Sequence, residues 1–204
     1  MTSPSMERGN EVRQRLTSAA VELIPERGWT AVSTRILAER AGVTPSVVHY
    51  HYSSLQALLR EAVIGAMRQR VNDINTLVEI AATATDLIDV LLKSSDRHSG
   101  DDPTARLFVE AYLAASRDAQ LRHEMACELA DLREAFARRL LECGVPAHGD
   151  TAAILLAALD GALLHRGLGI GPDAKPAAAI LHRLVAPDDT LSTAGHEGTR
   201  REMS

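Results

Sequence analysis

The sequence contains few cysteines, few aromatic residues and no long hydrophobic run. Two cysteines among 204 residues are too few for a disulfide scaffold, which favours a reducing, cytoplasmic compartment. Aromatic residues make up 3% of the chain, which argues against an all-β sandwich or barrel. The longest apolar stretch, residues 152–164, is interrupted by Asp160 and is shorter than the roughly 20 residues that span a bilayer. We therefore expect neither secretion nor a membrane partner.

The chain is instead rich in alanine and leucine, which both favour helices. Apolar residues recur every three or four positions, as at Val12, Leu16, Ala19 and Leu23, and this spacing places them on one face of an α-helix. The sequence therefore predicts an all-α fold. The helices expected after the first one cover residues 34–41, 45–52, a long segment from Ser53–Ser54, 86–94, a segment from Pro103, 118–143, 147–169 and 174–185.

Charge is distributed unevenly along the chain. The formal net charge is −5 at pH 7. Residues 1–53 hold six arginines and five glutamates, a balance of +1, so the acidic excess lies entirely in the remainder. The first quarter is therefore the only part of the chain that a polyanion such as DNA does not repel.

The segment from Ser33 to Tyr52 has the pattern of a helix-turn-helix. Two helices that touch need a small residue at the contact, which Ala38 supplies. The turn needs a residue that tolerates positive φ, which Gly42 supplies. Val43 and Val48 provide the apolar residues after the turn and on the inner face of the second helix. Such a second helix enters the major groove by its N-terminal end.

Residues 8–60 resemble the tetracycline-repressor (TetR) family of transcriptional regulators. The resemblance rests on Ala20, Gly28–Trp29, Ser33–Arg35, Leu37–Ala38, Ala41–Val43, His49–Tyr52, Ser54 and Leu58. It implies an all-α homodimer with an N-terminal three-helix DNA-binding domain, residues 1–53, and a C-terminal helical domain, residues 54–186, for ligand binding and dimerisation. It also implies a ligand-responsive repressor that binds a palindromic operator in double-stranded DNA.

The resemblance assigns DNA contacts to specific positions. They are Ser33, Arg35, Thr44, Pro45, Ser46, Val47, His49, Tyr50 and His51. Leu55 stands where the family usually has a phosphate-binding lysine, and His49 replaces a usual tyrosine. Pro45 and Val47 donate no side-chain hydrogen bonds, so they would read bases through apolar contacts such as a thymine methyl.

The C-terminal domain has candidate residues for a ligand and for a partner subunit. A small, largely apolar effector could contact Met67, Phe108, Tyr112, His123 and Met125, although ordinary core packing explains several of them equally well. The helices over 147–169 and 174–185 are apolar on most faces and need cover, which a second subunit would provide. The dimer-interface candidates are Ile154, Leu155, Ala158, Gly161, His165, Ile180, Leu181 and Leu184.

Other readings remain open beside these. The pairs His49/His51 and His123/Cys127 contain metal-ligand types but have no visible third ligand, so we expect no metal and no cofactor. Motifs for a nucleophile, a phosphate loop or a metalloprotease are not recognisable, so an enzyme or carrier is the weaker alternative. A ligand-independent repressor or an activator is also possible. We expect residues 187–204, which are polar, to form a disordered tail.

Overall fold

The computed structural model describes residues 4–96, 102–167 and 170–186, and all regular structure in these ranges is helical. The predicted all-α fold is therefore confirmed, whereas the predicted tail lies outside the described residues. The α-helices are α1 (Pro4–Arg27), α2 (Thr34–Arg40), α3 (Pro45–His51), α4 (Leu55–Ile80), α5 (Ala84–Asp96), α6 (Pro103–Ala115), α7 (Ala119–Glu142), α8 (His148–Gly167) and α9 (Ala174–Val185). No described helix is long and apolar enough to cross a membrane.

Side-chain caps fix where several helices begin. The Ser33 hydroxyl accepts a hydrogen bond from the Ile36 amide at the start of α2, at 3.4 Å. The Ser54 hydroxyl accepts one from the Ala57 amide at the start of α4, at 3.1 Å. The Asp118 carboxylate accepts bonds from two amides in the first turn of α7. These oxygens satisfy amides that lack an intrahelical partner.

Helix α1 is longer than its apolar pattern suggested. It begins at Pro4, although the first residues are polar, and it continues through Pro25 to Arg27. It ends at Gly28, where φ is +87° and ψ is 149°. Because a side chain strains this backbone conformation, glycine is the residue that lets the chain leave the helix here.

A first hydrophobic core joins the N-terminal helices to the rest of the chain. Leu16, Leu23 and Leu37 are fully buried in it. The same core contains Leu107 and Ala111 of α6 and Leu121 and Met125 of α7, together with the first half of α4. The predicted boundary between residues 53 and 54 therefore does not coincide with a gap in the packing.

A second core lies farther along the molecule. It collects Leu87 and Ile88 of α5, Phe136 and Leu140 of α7, and Leu155 of α8, all nearly inaccessible to solvent. Helix α4 contributes to both cores, because its residues up to Met67 pack in the first core and those from Val71 onward pack in the second. This helix is thus a continuous rod between the two halves of the subunit.

Candidate DNA-binding surface and effector cavity

The turn between α2 and α3 has the geometry that the sequence pattern predicts. Gly42 adopts a φ of +65°, and the Val43 amide donates to the Ala38 carbonyl at 2.9 Å, which closes the turn. Ala38 and Val48 are both 1% exposed, so each lies between the helices as expected. The predicted helix-turn-helix is confirmed as a structural unit.

Helix α3 presents most of the predicted DNA-contacting residues to solvent. Tyr50 is 85% exposed, and Pro45, Ser46 and His49 are exposed as well. The Thr44 and Ser46 hydroxyls lie 2.8 Å apart at the N-terminal end of the helix, where they offer polar groups to a groove. Val47 and His51 are half-buried. Their roles in binding DNA remain predictions.

The C-terminal end of α3 is held by a polar cluster formed by Arg13, Tyr52 and Glu61. The Tyr52 hydroxyl donates to Glu61 Oε1 at 2.8 Å, and Arg13 pairs with the same carboxylate. The guanidinium of Arg13 also lies 4.6 Å from the centre of the Tyr52 ring. Burial raises the pKa of Tyr52 further than the Glu61 contact does, so the phenol stays protonated as a donor. The cluster fixes the orientation of α3 relative to α1 and α4.

The cations of the N-terminal helices differ in their availability to phosphate. Arg40 pairs with Glu22 at 3.1 Å and with Glu26 at 2.7 Å. Arg35, at the start of α2, is exposed, and no ion pair is found for it among the described residues. Arg35 is therefore the better candidate for a phosphate or base contact, as the resemblance implied. Leu55 is half-buried against the first core.

A cavity of about 480 Å³ lies where the two cores meet. Its wall is largely apolar and comes from α4, α5, α6, α7 and α8. The lining residues include Met67, Arg70, Val71, Ile74, Leu91, Asp102, Thr104, Ala105, Phe108, Val109, Tyr112, Leu129, Leu132, Asp160, Gly161 and Leu164. This size and composition are typical of small-molecule sites.

Two polar arrangements interrupt the apolar wall. The Tyr112 hydroxyl lies 3.5 Å from Asp160 Oδ2 and can donate to it. Desolvation raises the pKa of Asp160, and desolvation together with the Asp160 charge raises the pKa of Tyr112 to about 12. Arg70 also faces the cavity, where burial lowers its pKa and the charges of Asp73 and Asp102 oppose that change.

Three of the five predicted ligand-binding residues, Met67, Phe108 and Tyr112, line this cavity. Met125 is not among the lining residues; it is 3% exposed and packs in the first core. His123 lies in a different surface groove, between α4 and α7, with its Nε2 3.9 Å from the sulfur of Cys127. Met125 and His123 therefore lie outside this cavity, and a role of any of the five residues in ligand binding remains a prediction.

The predicted dimer-interface residues divide into two groups. Leu155 is 1% exposed inside the second core, so it offers almost no surface to a partner subunit. Leu181 packs partly against the same core. Gly161 lines the cavity, and a Cβ there would meet no atom of the chain within 4 Å. The residues that remain exposed for a partner are Ile154, Ala158, His165, Ile180 and Leu184.

Helix α6 connects the cavity with the N-terminal helices. Phe108 and Tyr112 line the cavity, and Glu110 accepts a hydrogen bond from the Trp29 amide at 2.8 Å. The indole of Trp29 donates to Gln56 Oε1 at 3.0 Å. Arg70 and Glu110 were not anticipated from the sequence, because a charged residue in a helical pattern is usually solvated. Glu110 stands out only as a charged residue within an otherwise apolar segment, whereas Arg70 lies among polar residues and gave no such signal.

Comparison with known proteins agrees with this architecture. Residues 80–187 match the sequence model described as "Tetracyclin repressor-like, C-terminal domain", and residues 16–62 match that described as "Bacterial regulatory proteins, tetR family". The chain belongs to the TetR family of transcriptional regulators. The family resemblance of residues 8–60 is thus confirmed, and it extends through the C-terminal helices.

Individual members of the TetR family show the same likeness. The HTH-type transcriptional regulator BetI of Rhizobium meliloti (strain 1021) is 31% identical over 128 residues, which are 63% of this chain and 60% of that protein. The transcriptional regulator SCO7518 of Streptomyces coelicolor A3(2) superposes with a TM-score of 0.74 and 26% identity, over 87% of this chain and 99% of that one. The multidrug binding protein EbrR, solved with imidazole, has a TM-score of 0.65 and 28% identity, over 88% and 97%.

Proposed function

We propose that this TetR-family protein is a ligand-responsive repressor that binds a palindromic operator as a homodimer. Exposed residues of α3 and Arg35 would contact DNA, and the cavity at the junction of the cores would hold the effector. Such a regulator acts in the cytoplasm, where bacterial DNA lies. The multidrug binding protein EbrR, with its bound imidazole, supports a small-molecule effector by analogy.

The position of α6 is the observation that carries the ligand response. One face of this helix lines the cavity, and Glu110 on the same helix holds the amide of Trp29, directly after α1. A ligand that displaces α6 therefore changes a contact with the DNA-binding helices, in addition to any push on α4. Ligand and DNA would then favour different conformations, which is the requirement for coupling between two sites.

Large exposed apolar side chains support the homodimer. Ile154 on α8 is 59% exposed, and Ile180 and Leu184 on α9 are 62% and 46% exposed. Burial of such side chains against a second subunit would remove this apolar surface from water. A two-fold dimer would place two α3 helices against half-sites about 34 Å apart or somewhat more.

Selection of bound DNA from a random pool tests the proposed activity. We expect a palindromic consensus, and an Arg35→Ala variant that binds it more weakly than Arg133→Ala, an exposed control on α7. Failure to enrich any sequence would overturn the repressor proposal, whereas a non-palindromic consensus would overturn the two-fold dimer alone. A promoter fusion with the selected site distinguishes a repressor from an activator.

A cavity-filling pair tests where the effector binds. Val109→Phe narrows the cavity, while Leu113→Phe adds the same ring to an exposed position on the same helix. We expect Val109→Phe to abolish release of DNA by an effector without changing DNA affinity, and Leu113→Phe to behave like the wild type. An effector found in a compound screen that still releases Val109→Phe from the operator would place its site elsewhere.

A further inference from the structure

The cavity has an uneven balance of charge. Among the described residues, its lining contains one basic side chain, Arg70, and two acidic ones, Asp102 and Asp160. The rest of the lining is almost entirely apolar. In such surroundings an ionic group is costly unless a charge of opposite sign compensates it. The partners of these three side chains therefore indicate which charge a ligand can carry.

Arg70 already has compensating charges within the protein. Asp73, on the same helix, and Asp102, at the start of α6, both interact electrostatically with its guanidinium and favour its charged form. An anionic ligand at Arg70 would therefore compete with two carboxylates of the chain. Arg70 is better explained as a structural cation that balances Asp102 at the end of the cavity.

The part of the chain that the structure describes supplies no compensating cation to Asp160. Among the described side chains, no Lys, Arg or His forms an ion pair with it, and its hydrogen-bond partner is the Tyr112 hydroxyl at 3.5 Å. A single long hydrogen bond from a neutral phenol leaves most of the carboxylate charge unbalanced. Because both side chains retain accessible surface, a ligand can reach this carboxylate.

Two aromatic rings line the same cavity as this carboxylate. Phe108 and Tyr112 lie one turn apart on α6, and both line the cavity. The face of an aromatic ring attracts cations, and the attraction grows when water is excluded. A carboxylate with two rings and an apolar wall therefore forms a site suited to a positively charged group that carries hydrocarbon.

We propose that the cavity binds a monocationic ammonium ligand with an apolar body. Its charged nitrogen lies against the Asp160 carboxylate and the Tyr112 ring, and its hydrocarbon part extends toward Met67, Phe108 and Leu132. The proposal rests on the proposed function, because it names the chemical class of the effector. It replaces the expectation of a small, largely apolar effector.

Three compounds of one shape test the role of charge. Benzyldimethyl(2-hydroxyethyl)ammonium is the cation. In 3,3-dimethyl-4-phenylbutan-1-ol a carbon replaces its nitrogen, which gives a neutral molecule of the same shape. The corresponding acid, 3,3-dimethyl-4-phenylbutanoate, supplies an anion. Isothermal titration calorimetry on the full-length protein at pH 7 measures the dissociation constant of each compound.

We expect the wild-type protein to bind the cation about tenfold more tightly than the neutral alcohol, and the anion most weakly. Asp160→Asn keeps the size of the side chain and removes its charge, so the preference for the cation should fall to about twofold or less. Asp150→Asn changes an exposed aspartate on the same helix and should leave the preference intact. Tyr112→Phe keeps the ring, so it should retain most of the preference.

Several results would overturn the proposal. Equal binding of the cation and the alcohol, tightest binding of the anion, a cation preference that survives Asp160→Asn, or no binding of any of the three compounds would each do so. Circular dichroism of Asp160→Asn verifies that the variant is folded. The operator-binding assay above is independent of these titrations, so a failed charge preference with intact DNA binding rejects the ligand class and leaves the repressor function standing.

Discussion

The backbone amide of Trp29 donates a 2.8 Å hydrogen bond to Oε2 of Glu110, a residue 81 positions farther along the chain. This bond ties the turn after α1 to the helix that lines the cavity. A Cβ added to the neighbouring Gly28 would lie 3.6 Å from the same carboxylate oxygen. The backbone at Gly28 and Trp29 thus packs directly against α6, where the N-terminal helices meet the rest of the subunit.

Loss of the Glu110 carboxylate should destabilise the protein. Glu110→Ala leaves the partly buried Trp29 amide without its acceptor, so we expect the free energy of unfolding to fall by about 1–3 kcal/mol. Glu110→Gln retains an acceptor oxygen, so its free energy of unfolding should fall by less than that of Glu110→Ala. Urea denaturation monitored by the fluorescence of Trp29, the only tryptophan, measures both. Equal stability of Glu110→Ala and wild type would show that water replaces the carboxylate without cost.

Two glycines should respond to alanine in opposite directions. Gly28→Ala forces a side chain into a φ of +87° and should cost about 1–3 kcal/mol of stability. Gly65 lies within α4, where a Cβ would meet no atom within 4 Å, so Gly65→Ala should stabilise the protein by about 0.5–1 kcal/mol. Thermal or urea unfolding of the two variants gives the comparison. A Gly28→Ala variant as stable as Gly65→Ala would contradict the assigned strain.

A single added cation should strengthen DNA binding without changing sequence preference. Leu55→Lys places an ammonium at the start of α4, and we expect tighter binding to operator and unrelated DNA alike. The wild-type dimer should show a slope of about −5 for log K against log salt, and Leu55→Lys should steepen it by about 2. Leu55→Gln controls for the lost apolar contact. Fluorescence anisotropy at several salt concentrations measures the slopes, and an unchanged slope in Leu55→Lys would mean that position 55 does not reach phosphate.

Charges on α9 should separate the subunits. Ile180→Glu with Leu184→Glu would bury two uncompensated carboxylates at the proposed interface, so we expect a monomer. Ile80→Glu is the matched control, because Ile80 is 70% exposed and lies at the end of α4. Analytical ultracentrifugation reports the mass of each variant. A dimer that survives the double replacement would exclude α9 from the interface.

The stability contributed by Asp160 should depend on pH in a defined direction. Its pKa is raised mainly by desolvation, against the opposing hydrogen bond from Tyr112, while Arg70 and Asp102 also face the cavity. Between the ordinary aspartate pKa and this raised value, the native state holds more protons than the unfolded state. Stability therefore falls as pH rises through that window.

Asp160→Asn removes the charged carboxylate and with it the free-energy cost of desolvating that charge in the native state. We expect the variant to melt above the wild type at pH 7, and the difference in Tm to shrink as the pH is lowered toward 4. Asp150→Asn should show no such trend. Differential scanning fluorimetry without added ligand provides the measurement, and a difference that grows on acidification would show that Asp160 is stabilised as a carboxylate.

The sequence predicted the local architecture well because local signals determine it. Ser33 and Ser54 mark helix starts through hydrogen bonds that span three residues. Gly42 marks the turn because only a positive φ closes it there. The helix predicted over 174–185 coincides with α9, and the long helix predicted from Ser53–Ser54 begins at Leu55 as α4.

The cavity was predicted less accurately, because its wall depends on which faces of five helices meet. Met125 has the same helical spacing as true lining residues, yet it faces the first core. Leu155 and Ile154 are neighbours in an almost uniformly apolar helix, and their exposures are 1% and 59%. Because polar residues do not mark one face of this helix, the sequence does not indicate which of the two is buried. Glu110 binds the Trp29 amide 81 positions away, and one of the two charges beside Arg70 is Asp102, which precedes a different helix.

The continuous first core limits how this protein can be recombined with others. Leu16, Leu23 and Leu37 are covered by Leu107 and Ala111, which lie more than 50 residues beyond the end of the helix-turn-helix. A fragment cut after residue 53 would expose this apolar surface to water and would lack much of the cover needed to fold. A chimera that carries the DNA preference of this protein must therefore import the facing surfaces of α6 and α7 as well. A chimera therefore cannot take the DNA-binding helices without also taking parts of the helices that line the cavity.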